Sequence, residues 1–492
     1  MDVKRLGERG ASEFLGTYLL VFTVGCNVLS GNAIFAAISI AAVLMVMIYN
    51  LGDVSGGHFN PAVSLAVTCI GRMEPLMEGG DEKGWLAFLA YTAVQLVAGV
   101  LGGLSYYGVF GRSFPLHPKA GFSWAEMAIV EFLYTFLLCF VVLNVACTGG
   151  YNGGKQPNQF YGFAIGFVII AGGYACGWIS GGALNPAVAL GIDVANFSLW
   201  WCWVYMIVQF LAGGAAALMF GFVRPLPAEK ETAKEAPEAQ TSGDSKELDQ
   251  VEYMYVKPLS EFIGTYFLVL TVGLNVLQGS NHHAAVFSIA AALIVSIYAL
   301  GDVSGGHFNP AVTVAILARN AGDGGGTAGF YIGAQLLAGI LAGLSFVGIT
   351  GRSFPLGPGP GFGWASLCVA ELIFTFVLCF TVLSVATLKT VHLKDYVGLA
   401  IGFTILVGGY AVGAISGACL NPAVAIGIDI AHATRGGMFW QSLAYTVVQC
   451  LGGILAACVF FITRPDEFPE IAAMKGEEAK PAAAAPARGA EA

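Results

Sequence analysis

GDVSGGHFNPAV, residues 52–63, returns unchanged at 301–312. Inside it, Asn60-Pro61-Ala62 and Asn309-Pro310-Ala311 open short apolar runs, and the same tripeptide recurs at Asn185-Pro186-Ala187 and Asn421-Pro422-Ala423. Asn caps helices well and Pro suits the first helical position, so one Asn-Pro-Ala reads as an ordinary helix start. Four copies in two matched pairs, set among Gly and apolar residues, do not. The runs that follow, such as Ala62–Ile70, are too short to cross ~30 Å of hydrocarbon. They predict re-entrant half-helices buried at membrane depth.

The rest of the composition agrees. Of 492 residues, 57% are hydrophobic and 11% charged, with 67 Gly. That is membrane-protein usage, with Gly allowing close helix approach. The 11 Cys are scattered singly through apolar stretches and read as small hydrophobes. The net charge of −9 arises mostly in the polar segments, and no basic patch suggests nucleic acid. No nucleophile–base pair, nucleotide loop or metal-ligand cluster stands out, so neither an enzyme nor a cofactor is expected.

The chain is a tandem duplication. Residues 13–29 read EFLGTYLLVFTVGCNVL and residues 261–277 read EFIGTYFLVLTVGLNVL, while GRSFPL recurs at 111–116 and 351–356. Each copy also carries a fainter internal repeat. EFLGTYLL at 13–20 resembles EFLYTFLL at 131–138, and Tyr91, Gln95, Ala98 and Gly99 match Tyr205, Gln209, Ala212 and Gly213 at the same spacing. Spans are expected near 12–30, 33–51, 85–109, 124–147, 160–179 and 199–222, then 259–277, 284–300, 327–349, 364–387, 395–415 and 438–463. Three spans per internal unit force successive units into opposite orientation, an inverted repeat whose site lies near the midplane. The predicted fold is therefore an all-α polytopic membrane protein of two bundles, each with six transmembrane helices and two re-entrant half-helices. The expected domains are a first pore domain at 1–224, a disordered acidic cytoplasmic linker at 225–258, a second pore domain at 259–464 and a disordered tail at 465–492.

An even number of spans per copy puts both chain ends on one side. Lys4, Arg5, Arg72, Lys83, Lys155, Arg224, Lys389, Lys394 and Arg464 would share it, against Arg112, Lys119, Arg352 and Arg435 opposite. The bias makes that side the cytoplasm. Which membrane holds the protein is not written in the sequence.

Half-helices entering from opposite faces bring two N-termini together, each carrying about half a positive charge and orphan N–H donors. Asn60 and Asn185, and likewise Asn309 and Asn421, would cap those ends and turn amide N–H groups into the pore. Glu13, Glu131, Glu261 and Glu371 lie within apolar spans, where a carboxylate is costly and usually functional. A proton relay is one reading. Their place just inside a helix end, once per inverted unit, favours the other, support of the irregular Gly-rich loops through backbone N–H groups. Gln95, Gln209, Gln335 and Gln449 recur as regularly and would satisfy backbone groups too.

EFxGT, SGGHFNPAV, ExxxTF and the second Asn-Pro-Ala together resemble the major intrinsic protein family, the aquaporins and aquaglyceroporins. The resemblance covers nearly the whole chain twice, outside linker and tail. It implies a right-handed six-helix bundle with two half-helices per pore, and pores packed four to an assembly, so that a homodimer of tandem chains would build one. Carried over by spacing, the selectivity-filter positions are Ile40, Gly173, Gly182 and Val188, and in the second copy Ile289, Gly409, Ala418 and Val424. The family's usual filter Arg is replaced by Val188 and Val424, and its aromatic and His contributions are missing. This predicts a wide apolar ring, with Ala418 against Gly182 hinting at a tighter second filter. Arg112 and Arg352, on a connection that in this family can fold toward the pore mouth, could supply the absent charge. His58 and His307 match residues of the pore wall.

The leading expectation is a passive channel for water and small uncharged solutes such as glycerol and urea. An ion-coupled secondary transporter, also built from inverted repeats with broken helices, stays open. So does a structural membrane protein with closed pores.

Overall fold

The computed structural model describes residues 3–31, 34–74, 84–148, 159–225, 252–279, 282–319, 325–388 and 395–468. In the first half run α1 (Val3–Ser30), α2 (Ala36–Ser55), α3 (Pro61–Cys69), α4 (Trp85–Phe110), α5 (Trp124–Ala146), α6 (Tyr161–Ser180), α7 (Pro186–Ala195) and α8 (Cys202–Val223). The second half repeats the order as α9 (Lys257–Gln278), α10 (His282–Ser304), α11 (Pro310–Ala318), α12 (Gly325–Thr350), α13 (Trp364–Ala386), α14 (Val397–Ser416), α15 (Pro422–Ala433) and α16 (Gln441–Thr463). Among the described residues, 12 helices are long and apolar enough to cross a membrane. The four half-helices α3, α7, α11 and α15 are not among them. The protein is an all-helical, integral, multi-pass membrane protein.

The half-helices begin where Asn-Pro-Ala predicts. At each, the Asn side chain accepts from the backbone N–H two residues on, and Pro takes the first helical position. The residue before each Asn is turned into the left-handed region, with Phe59 at φ 49°, Leu184 at 50°, Phe308 at 49° and Leu420 at 51°. Such a conformation costs roughly 1–2 kcal/mol in a non-Gly residue and persists only where the surroundings over-determine it.

Glycine sets the distance between spans and half-helices. A Cβ on Gly99 of α4 would run into Ala187 O at the start of α7, and one on Gly213 of α8 into Ala62 O at the start of α3. Gly339 and Gly453 meet Ala423 O and Ala311 O in the same way. The pairing is crossed. The span of one internal unit holds the half-helix of the other, which is how an inverted repeat closes on itself.

A seam joins the halves, with α5 and α6 packed on α9 and α10. Tyr134 Oη and Thr271 Oγ1 lie 2.9 Å apart across it. Asn275 Nδ2 donates to Ser288 Oγ (2.9 Å), which donates to Ala171 O (2.9 Å). At the end nearest the chain termini, buried Arg224 donates to Asp302 (2.9 and 2.7 Å), Asn144 Oδ1 (3.0 Å) and Ala299 O (3.2 Å). The seam uses one side of each half only. Of the most apolar stretch, 78% is buried in α5 and 39% in its counterpart α13, and 72% in α10 against 22% in α2.

Three expectations about boundaries change. Of the expected linker, residues 252–258 are helical, a π-type turn at Glu252–Val256 leading into α9, while 226–251 lie outside the described residues. The expected tail is fastened where it begins. Pro465–Glu467 form a helical turn, Glu467 pairs with Arg319 at 3.1 Å, and Phe468 packs on Phe461 with centroids 4.8 Å apart. The first helix begins at Val3 and its candidate span at Gly7 rather than near residue 12, because its polar opening turns stay helical. There Ser12 Oγ bonds Glu8 O, and Arg9 pairs with Glu74.

Candidate functional site

In each half, a cavity runs along the line where two half-helices meet. In the first half it measures about 300 Å³ and is lined by Asn60, Asn185, His58, Ile40, Gly173, Gly182 and Val188 among others. In the second half it measures about 560 Å³ and includes Asn309, Asn421, His307, Ile289, Gly409, Ala418 and Val424. All eight carried-over filter positions therefore border a cavity, and none carries a charge. The cavities are mostly apolar in their walls, with polar groups concentrated at the half-helix junction.

That junction is a mutual lock. Asn60 Oδ1 accepts from Ala62 N (2.9 Å) while Asn60 Nδ2 donates to Leu184 O (3.0 Å) in the opposing loop. Asn185 Oδ1 accepts from Ala187 N (2.9 Å), and Asn185 Nδ2 donates to Phe59 O (2.9 Å). Asn309 and Asn421 repeat the arrangement with Leu420 O at 2.8 Å and Phe308 O at 2.9 Å. The sequence suggests that these Asn cap the half-helices, as they do, and that their amide N–H groups point into the pore. Instead, one N–H of each is engaged by the other loop, and an amide NH₂ keeps only its second hydrogen for a passing oxygen. Pro61, Pro186, Pro310 and Pro422, with Ala62, Ala187, Ala311 and Ala423, are buried in the first turns behind the caps.

Behind each loop sits a fully buried carboxylate. Glu13 accepts from Ser55 Oγ (2.7 Å), His58 N (3.0 Å), Phe59 N (2.8 Å) and Gln95 Nε2 (2.8 Å). Glu131 accepts from Ser180 Oγ (2.7 Å), Ala183 N (2.9 Å), Leu184 N (2.8 Å) and Gln209 Nε2 (2.9 Å). Glu261 is bound by Ser304, His307 N, Phe308 N and Gln335, and Glu371 by Ser416, Cys419 N, Leu420 N and Gln449. Four donors on two oxygens nearly exhaust a carboxylate's acceptor sites. The serines that end α2, α6, α10 and α14 join these sets, and sequence reading passed over them.

His58 and His307 lie at the cavity wall on the other side of the junction. His58 Nδ1 is 3.0 Å from Ser64 Oγ, with its ring 5.4 Å from that of Tyr91. His307 Nδ1 is 3.1 Å from Thr313 Oγ1 and its ring 5.0 Å from Tyr331.

Two readings of the mouth are corrected. Arg112 Nη2 donates to Leu29 O (3.0 Å) and Arg352 Nη2 to Leu277 O (2.7 Å), so both guanidinium groups cap the end of the first span in their half. Arg352 also lies over the Trp178 ring at 5.3 Å. Neither is among the residues that line these two cavities. Unpaired carbonyls at a helix C-terminus attract a nearby cation, and here they win over the pore. The second correction concerns Gly173 and Gly409. A Cβ on Gly173 would come within 3.0 Å of Ala37 Cβ, and one on Gly409 would meet the Val286 methyls. The absent side chains leave no hole, because α2 and α10 fill the space. Ala37 and Val286 line the cavities themselves. No motif marks them; only the helix contact does.

A family model described as major intrinsic protein matches residues 4–220, 247–434 and 390–487. The chain belongs to the major intrinsic protein family. The repeated match follows the tandem halves. A putative aquaporin NIP4-1 from Arabidopsis thaliana is 35% identical over 224 residues, covering 43% of this chain and 76% of that protein. Aquaporin TIP2-3 from Zea mays is 31% identical over 226 residues, covering 43% and 86%. A solved aquaglyceroporin from Plasmodium falciparum aligns at 20% identity with a TM-score of 0.37, covering 44% of this chain and 97% of that one. As a major intrinsic protein the chain is a membrane channel for water and small solutes, not an enzyme.

Proposed function

We propose that each half forms its own passive pore, and that both pass water and small uncharged solutes of the size of glycerol and urea. The observation that carries this reading is the locked pair of Asn-capped half-helix N-termini inside an apolar cavity whose filter ring is uncharged. Two N-termini facing one another place positive potential and N–H donors at one level. The donors take the oxygen of water or an alcohol, while the potential opposes cations. A water whose oxygen accepts from those donors gives its hydrogens to both neighbours and accepts from neither, which interrupts proton hopping along the file. With Val188 and Val424 in place of a charge, the ring itself sorts by size and polarity rather than by sign.

The test is flux in proteoliposomes. Stopped-flow shrinking against sucrose should be fast, and re-swelling in glycerol or urea gradients should follow quickly. Rates equal to those of empty liposomes would refute the reading.

Both chain ends face the cytoplasm in this reading. Arg9, Arg72, Arg224, Arg319 and Arg464 lie at that end of the bundle, with Arg112, Lys119, Arg352 and Arg435 at the other, which fits the positive-inside rule. Lys83, Lys155, Lys389 and Lys394 lie outside the described residues, and the two pore domains are taken as 1–224 and 259–464.

Two chains pair into a four-pore ring. The faces left open on the first half (α1, α2) and the second (α13, α14) are the counterparts of those already joined at the seam. Their polar groups repeat the seam's: Asp53 stands where Asp302 does, Arg464 where Arg224 does, and Ser39 where Ser288 does. Asn27 Nδ2 already donates to Ser39 Oγ at 2.9 Å, as Asn275 does to Ser288. Asp53 and Arg464 are both exposed. A second copy would supply each with the partner that the seam supplies to its twin.

A further inference from the structure

The loops after the third span of each half are near copies, GRSFPLHPKAGFSWA at 111–125 and GRSFPLGPGPGFGWA at 351–365. They hang from the bundle in the same way, Lys119 N donating to Ile179 O and Gly359 N to Ile415 O, each at 2.8 Å. What differs is the side chain carried there. Lys119 reaches over Gly181, with Cε and Nζ 3.7 and 3.9 Å from where a Cβ on that glycine would stand. Gly181 and Gly182 border the first cavity. Among the described residues no hydrogen bond or ion pair holds the Lys119 ammonium. In the second half the same place is bordered by Gly357, Pro358, Gly359 and Pro360, without a charge. A Cβ at Gly359 would overlap Ala414 O, so that loop has no room for a side chain as it stands.

We propose that Lys119 is the charge that keeps cations out of the first pore, and that the second pore has no such barrier, so the two pores of one chain differ in what they pass. The inference rests on the channel reading and adds a selectivity residue to it. The filter ring of the first half is Ile40, Gly173, Gly182 and Val188, none of which can repel a cation. Lys119 does not itself border the cavity; it stands over Gly181, which does, so its charge acts from beside the mouth before the half-helix dipoles are reached. Burial pulls the Lys119 pKa below the usual lysine value, the mark of an ammonium partly withdrawn from water, where its field is less screened. A monovalent cation about 6 Å from it, at an effective dielectric near 20, is disfavoured by about a hundredfold. Water, glycerol and urea bear no such penalty, and their oxygens can accept from the ammonium. The loop residues bordering the second cavity, Gly357 to Pro360, are neutral.

The experiment isolates the pores in the full chain. Ile289→Trp fills the second cavity and Ile40→Trp the first, and potassium leak is read beside water flux in proteoliposomes. With only the first pore open, Lys119→Met should raise potassium leak about tenfold or more and leave water flux unchanged, while Lys119→Arg should stay tight. With only the second pore open, potassium leak should already be the higher of the two, and Lys119→Met should change nothing. The single Lys119→Met change in an otherwise unaltered chain should add the same increment, which covers misfolding of the Trp variants. Unchanged leak after Lys119→Met while the first pore conducts water overturns the proposal, as does an equal rise through both pores. Absence of water flux from the unaltered chain overturns the channel reading beneath it, and is recognised before any variant is compared.

Discussion

Replacing Glu131 by Gln tests whether the buried carboxylates support the loops or carry protons. Glu131 Oε1 accepts from Ser180 Oγ and Ala183 N, and Oε2 from Leu184 N and Gln209 Nε2. An amide keeps one of these oxygens and turns an NH₂ toward the other pair of donors. Adaptation is partial. Gln209 Oε1 is buried with no partner, so Gln209 can flip and accept from the new amide. Ser180 can likewise rotate its hydroxyl. A backbone N–H cannot: either Ala183 N or Leu184 N is left facing another donor. Losing one charge-assisted bond and stranding one buried N–H costs about 2–5 kcal/mol. On the scale of a 200-residue domain that is a fall in melting temperature of about 10 °C. Glu131→Ala strands both N–H groups and should cost more, to the point of failing to assemble. The assay is thermal unfolding of the purified protein in detergent, with water flux in proteoliposomes read with and without a proton gradient. Loop support predicts that stability and flux fall together, in the order Ala worse than Gln, with no gradient dependence in either protein. A Glu131→Gln protein that melts like the unaltered chain but loses a gradient-driven flux would refute this and revive the ion-coupled transporter.

Ala418 sits at φ 48° where its counterpart Gly182 sits at 65°. Ala418→Gly should therefore stabilise the second half and Gly182→Ala destabilise the first, each by about 1 kcal/mol, checked as opposite shifts in melting temperature. Gly99→Ala should push Ala187 and the start of α7 out of line, silencing the first pore while Gly339→Ala silences the second; equal water flux from the unaltered chain and the double variant would contradict the crossed packing. Asp53→Lys should reduce the two-chain assembly to single chains, and Arg464→Glu in the same chain should restore it, read as mass by light scattering. An unchanged mass in Asp53→Lys would count against the ring.

The half-helices, the Glu-bearing spans and the duplication could be read in advance because each rests on local rules repeated four times. A capping Asn before Pro, a run too short to cross, and a carboxylate at one fixed distance from the loop leave few alternatives. Errors fell where two distant segments compete. Arg112 and Arg352 had a pore mouth and a helix end to choose between, and nothing within GRSFPL says that Leu29 O and Leu277 O lie closer. Gly173 and Gly409 looked like openings because the facing helix is invisible in a motif. Lys119 had a usable signal, a charged position in one loop copy and glycine in the other, but its reach over Gly181 depends on how the loop hangs from α6. The turn at Glu252–Val256 reads as linker because five residues beside a Glu-, Lys- and Pro-rich stretch show no helical period of their own.

The Arg224–Asp302 seam has a consequence for inheritance and supply. Two channels encoded separately would mix at random, some rings holding mostly one kind. With the two pores proposed above, each is made once per chain and delivered already seated beside its unlike neighbour. In the proposed ring of two chains, unlike pores would stand side by side and like pores would face one another across the centre. The ratio of the two cannot drift with expression level, and a change that improves one pore is always carried in equal number with the other.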